Sequence, residues 1–319
     1  EGNGAPPPAL CCDFDIPRGA ARLYRNEGLK AKYAKEFATS RESPGRVYGG
    51  TLEAAREALR TDETDARLAV GGHHVVIPGA FRLLKSLLES KRPLTVVLRT
   101  FGSELDVVAK ALEATAEKDP LFSKLVLQQE NVFRRTGTEY LRHNDCERWT
   151  EEAVLGLLES SSGEEVRCFA ILDDYKTWRA HAYDPRFGKP FWVGSVAARH
   201  VFFDDNVHND ATDSILCARL RSPDGSFSSL DGSALIKLHH HAAVRVPTIQ
   251  AILDDRWFID NLHICEASVR DLLSSSLRND DDNGDATEDV SACRQNKEEE
   301  FRRRRNWTWV RRLLELSSS

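Results

Sequence analysis

His200-Val201-Phe202-Phe203-Asp204-Asp205-Asn206 is the stretch on which the reading of the fold turns. Its opening run of β-branched and aromatic residues predicts a buried central strand, and two carboxylates follow where that strand would leave the sheet. Open α/β sheets bind ligands at the carboxyl ends of their strands. Adjacent carboxylates placed there repel one another unless a metal or a shared proton compensates, and Mg2+ is the natural ion because it takes oxygen ligands. The competing reading is a turn in which the Asp residues cap the next element, Asn206 being ordinary turn chemistry.

Working outward, other apolar runs end in the same way. Val166 to Leu172 predicts a strand that ends in Asp173-Asp174-Tyr175, and Leu94 to Leu98 predicts one that ends in Arg99-Thr100. Neighbours on a strand face opposite sides, so Arg99 is expected to pair with an acid on the face away from Thr100. Between the predicted elements lie helical spacings: Phe81, Leu84, Leu87 and Leu88 on one face, then Val107, Val108, Ala111 and Leu112. Near the start, Pro6-Pro7-Pro8 cannot enter a central strand, so the first strand is expected at Ala9-Leu10-Cys11-Cys12, running into Asp13-Phe14-Asp15. Strands alternating with helices predict an α/β class, with a doubly wound, mostly parallel, Rossmann-like sheet. Residues 1–8 read as a tail and 9–275 as the core domain. A small helical cap is expected at about residues 20–75, and an irregular or helical extension at about 120–160. Residues 215–220 suggest a further strand and 248–273 a helical cover. Gly188-Lys189-Pro190 reads as a loop. From about 276 to 300 the composition turns polar and acidic, as in a disordered linker, and 301–319 is a basic amphipathic segment.

Composition narrows the function classes. A chain of 319 residues buries a substantial core, and its formal net charge of −6 argues against bulk nucleic-acid affinity. No apolar run is long enough to span a membrane, and Glu1 to Pro8 lacks the pattern of a signal peptide, so a soluble, cytoplasmic protein is expected. Seven cysteines form no CxxC pair, which favours reduced thiols.

Four strand-end and loop features now stand in order: Asp13 with Asp15, Thr100, Lys189 followed by Pro190, and Asp204 with Asp205. This order resembles the four motifs of the haloacid dehalogenase-like (HAD) superfamily, with Ile77-Pro78-Gly79 ahead of the helix that feeds the second motif and Lys189 fifteen residues before Asp204. The resemblance covers roughly residues 9–18 and 75–206. It implies Mg2+-dependent hydrolysis of a small-molecule phosphate ester, with Asp13 as the nucleophile that forms an aspartyl phosphate. It also implies Asp15 as the acid and base, Thr100 and Lys189 on the phosphoryl oxygens, and Asp13, Asp15, Asp204 and Asp205 around the metal. The sequence departs from the family at Pro17, where members usually have Thr. An alternative register makes Asp15 the nucleophile and leaves Pro17 in the acid position. Asp173-Asp174 is the alternative acidic pair, and a catalytically silent HAD-like binding or scaffold protein is the alternative function.

Other features have plainer readings. His239-His240-His241 is consecutive and lacks partners at finger-like spacing, so zinc is not expected there. His73-His74 reads as the start of a strand, and Trp178 as either a core residue or a wall of the crevice. In the tail, Trp307, Val310, Leu313 and Leu314 fall at helical spacing with Arg311 and Arg312 between them. Such a segment docks on the domain, in a partner's groove or on an anionic membrane surface.

Overall fold

The computed structural model describes residues 44–102, 104–142, 145–160, 165–193, 199–207, 214–222, 226–230 and 241–280. Asp13, Asp15, Pro17, the linker beyond Asp280 and the basic segment lie outside the described residues. So do Ser103 and two of the three consecutive histidines.

Helix α1 (Gly49–Ala58) leads into a two-residue pair, β1 (Ala69–Val70) with β2 (His73–His74). The expected cap region therefore holds one described helix and a small β-pair. Helix α2 (Pro78–Glu89) opens on Pro78, whose fixed φ suits a first helical turn. Strand β3 (Leu94–Thr100) and helix α3 (Glu104–Lys118) follow. Next come the strands β4 (Val132–Thr136), β5 (Glu139–Arg142) and β6 (Glu147–Trp149), then helix α4 (Glu151–Glu159) and strand β7 (Val166–Leu172).

These strands form one five-stranded sheet of order β3-β7-β4-β5-β6. β3 pairs parallel with β7 from Leu94↔Val166 to Thr100↔Leu172, and β7 pairs parallel with β4. The last two pairings are antiparallel. The sheet is thus mixed, and the α/β class holds where the mostly parallel doubly wound sheet does not. The extension expected at about 120–160 holds 3-10 turns at Pro120–Leu125 and Gln129–Asn131 and helix α4, and it also holds three strands that were not expected. Their signal was weak because β4 reads Val-Phe-Arg-Arg-Thr and turns both Phe133 and Arg135 inward, so a buried arginine breaks the apolar alternation.

The β3–β7 pair is covered on both faces, which explains its continuous apolar runs. Leu94, Val96, Leu98 and Cys168 pack with Leu88, Leu112, Phe122 and Leu125. Val97, Phe169 and Ile171 face Phe133, Tyr140, Val154, Leu155 and Trp192 on the other side.

The second half of the chain builds smaller sheets. Helix α5 (Tyr175–Ala180) and a short 3-10 turn precede β8 (Lys189–Val193), which pairs parallel with β10 (Leu216–Arg221). A third strand, β11 (Phe227–Ser229), pairs antiparallel with β10. Lys189 and Pro190 therefore lie in a strand, a correction to the expected loop. Pro190 is tolerated there because β8 is paired on one edge among the described residues. Strand β9 (Phe202–Asp204) pairs parallel with β12 (Ala243–Arg245). Its three residues are fewer than the sequence suggests, and Asp204 belongs to the strand. Helices α6 (Thr248–Leu253) and α7 (Trp257–Asp280) then pack Trp257, Phe258 and Cys265 with Leu83 of α2 and Val244 of β12. Among the described residues no helix is long and apolar enough to cross a membrane.

Candidate functional site

Lys189 is 5% exposed, and its ammonium donates to Asp204 Oδ2 at 2.8 Å. A buried lysine needs such a carboxylate, since an unpaired buried charge is costly. The same Nζ lies 3.5 Å from the carbonyl of Arg99, the next-to-last residue of β3. The carboxyl ends of β3 and β9 are therefore brought to one point by Lys189, although no described hydrogen bond joins the two strands. Thr100 and Asp205 stand one residue beyond Arg99 and Asp204. Four of the residues singled out in the sequence thus gather at one end of two parallel strand pairs.

The acidic pair is partly braced. Asp204 Oδ1 accepts the Asn206 amide at 2.9 Å, and Asp205 Oδ1 accepts the Asn206 side-chain amide at 2.9 Å. Asn206 thus does turn chemistry and orients both acids. The Asp205 carboxyl is held above the usual carboxylate range by partial burial, then by the like charge and hydrogen bond of Asp204. Since Asp205 as a whole is exposed, the neighbouring charge is the cause with most weight. A second cation at this end would relieve the repulsion.

Thr100 is already engaged. Its hydroxyl donates to Glu104 Oε2 at 2.7 Å and accepts the Gly102 amide at 2.9 Å. The bond to Thr100, first of all, holds the Glu104 carboxyl below its usual range, with a smaller contribution from Lys189. Glu104 carries no motif signal in the sequence.

What aims Lys189 is a buried ion cluster one layer away. Asp173, whose side chain is fully buried, accepts Arg99 Nη2 at 2.5 Å and Arg135 Nε at 3.0 Å. Arg99 pairs with an acid as the strand alternation predicted. Its other amino group bonds the carbonyl of Pro190, while Arg135 donates to the carbonyl of Gly188 at 2.7 Å. The two arginines grip the backbone on either side of Lys189. Gly188 completes the fit: a Cβ there would overlap the Ile215 carbonyl, which accepts the Lys189 amide at 2.6 Å.

The alternative acidic pair is accounted for structurally. Asp173 is spent on the two arginines, and Asp174 caps α5 by accepting from the Thr177 amide at 3.0 Å and its hydroxyl at 2.7 Å. Trp178 is a core residue, 6% exposed and stacked on Phe101 at 5.1 Å between ring centroids. His241 Nδ1 bonds the Ser268 hydroxyl, and His73–His74 is strand β2.

Comparison with models of known families, with curated proteins and with solved structures returns no match. The functional reading therefore rests on the site itself. Among the described residues no group of three or more His, Cys, Asp or Glu side chains gathers to hold a metal ion. Asp204 and Asp205 supply oxygen donors suited to Mg2+, which often binds through one or two carboxylates together with substrate phosphate. Of Asp204, one oxygen is committed to Lys189 and the other to the Asn206 amide, so Asp205 is the more available ligand.

Arg135 and Glu104 are the site residues that sequence reasoning missed. For Arg135 a signal did exist: an arginine at an inward position of an otherwise apolar alternation demands a buried acid.

Proposed function

We propose that this chain is a HAD-like, Mg2+-dependent phosphatase acting on a small-molecule phosphate ester. The observation that carries the reading is the convergence of Lys189, Asp204, Asp205 and Thr100 at the carboxyl ends of parallel strands. Two acids able to hold Mg2+, with a buried lysine and a hydroxyl at the same strand end, suit a dianionic phosphoryl group better than a neutral ligand.

In this reading Asp13 attacks phosphorus: an O–P bond forms, the bond from phosphorus to the ester oxygen breaks, and Asp15 gives its proton to the departing alcohol. Water then attacks the aspartyl phosphate as Asp15 takes back a proton, which releases inorganic phosphate and restores Asp13. Asp205 and Asp204, with Asp13, would hold Mg2+, which when bound neutralises charge on the phosphoryl oxygens. Lys189 orients Asp204 through its 2.8 Å bond and adds positive charge at the phosphoryl end. Thr100 positions a phosphoryl oxygen once its hydroxyl turns from Glu104.

That last requirement favours a second reading, a catalytically silent HAD-like binding or scaffold protein. Glu104 occupies the Thr100 donor and places a carboxylate where phosphate would approach. Hydrolysis of p-nitrophenyl phosphate with Mg2+ separates the two. The phosphatase reading expects turnover that Asp13→Asn removes, and a thermal stabilisation by Mg2+ that Asp205→Asn removes. Activity kept by Asp13→Asn but lost in Asp15→Asn moves the nucleophile to Asp15. No turnover across a broad panel of esters leaves the silent protein.

A further inference from the structure

Thr100 is the last residue of β3, and Glu104 is the first of α3. A first-turn acid ordinarily faces solvent and helps its helix through charge alone, and exposed Asp106 is such an acid. Glu104 does more. Its carboxylate turns back to the strand end, where Oε2 accepts the Thr100 hydroxyl at 2.7 Å. It also accepts its own backbone amide, so it lies against the amino end of α3.

The backbone is shaped to admit that carboxylate. Gly102 stands between strand and helix, and a Cβ on it would come within 2.4 Å of Glu104 Oε2 and 2.8 Å of Oε1. The space another residue would fill is the space the carboxylate uses. Gly102 also donates its amide to Thr100 Oγ1 at 2.9 Å. With its oxygen accepting from Gly102, the hydroxyl gives its one proton to Glu104.

A hydroxyl, a helix amino end and a nearby ammonium are the groups that recognise an anion. Lys189 acts on the carboxyls of Glu104 and Asp205 as well as bonding Asp204. This end of the sheet therefore already holds an anion, and the anion belongs to the protein. Glu104 is exposed, so its carboxylate leaves by rotation about side-chain bonds without disturbing the core.

We propose that Glu104 is an intramolecular competitor of the phosphoryl group: its carboxylate fills the anion seat at Thr100 in the resting protein, and the ligand binds by displacing it. The incoming anion is taken from the phosphatase reading, but the test measures binding and not turnover. While Thr100 is engaged, only a fraction of molecules is competent to bind, and the apparent Kd rises in inverse proportion to that fraction. Glu104 thus sets how much phosphate the site needs before it fills.

The probe is inorganic phosphate, titrated by calorimetry into the full chain with Mg2+ present. Glu104→Ala removes the competitor and should tighten phosphate binding at least about 10-fold, as expected for a seat open about one-tenth of the time or less. Gly102→Ala keeps the charge but crowds the carboxylate out of its seat, so it should also tighten binding. Both residues are exposed, and melting temperatures close to the parent's will show that the fold is kept. Adding Thr100→Val to Glu104→Ala should cancel the gain. Asp106→Ala removes a first-turn charge away from the seat and should leave the affinity within about 2-fold. Unchanged affinity in either Glu104→Ala or Gly102→Ala would overturn the proposal. So would a gain that survives Thr100→Val, an equal gain in Asp106→Ala, or no phosphate binding by any of the proteins. Tighter phosphate in both variants of a protein inert to all esters would uphold the competitor and refute the phosphatase reading; ester turnover with unchanged phosphate affinity would do the reverse.

Discussion

Replacing Lys189 by Met tests whether the buried ion pair organises the site. The lysine and Asp204 side chains are 6% and 9% exposed, with 2.8 Å between Nζ and Oδ2. At an effective dielectric near 20 that separation gives a gross attraction of about 6 kcal/mol, most of which offsets the cost of desolvating both groups. Removing one partner is a different perturbation, because Asp204 would stay buried and unpaired beside Asp205. Such a loss costs about 3–5 kcal/mol, which for a chain of this size lowers Tm on the order of 10 °C. Lys189→Met with Asp204→Asn removes both charges, so the double variant should recover at least about 1 kcal/mol relative to the sum of the single changes. Urea and thermal unfolding of the four proteins at neutral pH measure the cycle. Single-variant losses that add within about 0.5 kcal/mol would show that the two groups are not coupled, and Lys189 would then not be what organises the acidic pair.

Three further outcomes follow from the same geometry. Asp173→Asn leaves Arg99 and Arg135 buried without their shared carboxylate and should cost about 3–5 kcal/mol, whereas Asp174→Asn next door removes only part of a helix cap and should cost about 1 kcal/mol or less; chemical denaturation of both variants distinguishes them. Gly188→Ala forces a methyl group into the Ile215 carbonyl and should lower Tm by several degrees, while Gly156→Ala, with open space around its Cβ in α4, should be neutral or stabilising. Burial pushes the Cys168 thiol up to about 12. The folded state therefore holds its proton more tightly than the unfolded chain, and that contribution is present below the unfolded pKa and lost as pH rises from about 9 toward about 12. Unfolding midpoints measured across that window should fall less steeply for Cys168→Val than for the parent.

The amino-acid sequence by itself determined the elements with strong periodic signals. Val166 to Leu172, the helix of Glu151 to Glu159 and the face of α2 are legible because one or both sides are buried by apolar neighbours close in the chain. It also marked Thr100, Lys189, Asp204 and Asp205, since charged or hydroxyl residues at the end of an apolar run are costly to bury unless a turn or a site engages them. Tertiary structure alone decided the rest. Whether the sheet was parallel depended on β4, β5 and β6, short arginine-bearing strands of which β4 reaches Asp173 through Arg135 and β5 buries Tyr140 in the core. That Lys189 is a buried strand residue was hidden by Gly188 and Pro190, which read as a turn until Arg99 and Arg135 are seen to hold both their carbonyls. In the chain both acidic pairs close an apolar run, and Lys189-Pro190 fifteen residues ahead is what favours Asp204–Asp205. The fold adds the physical reason, because two arginines distant in sequence neutralise Asp173 while a single lysine leaves the Asp204–Asp205 pair with charge to spare.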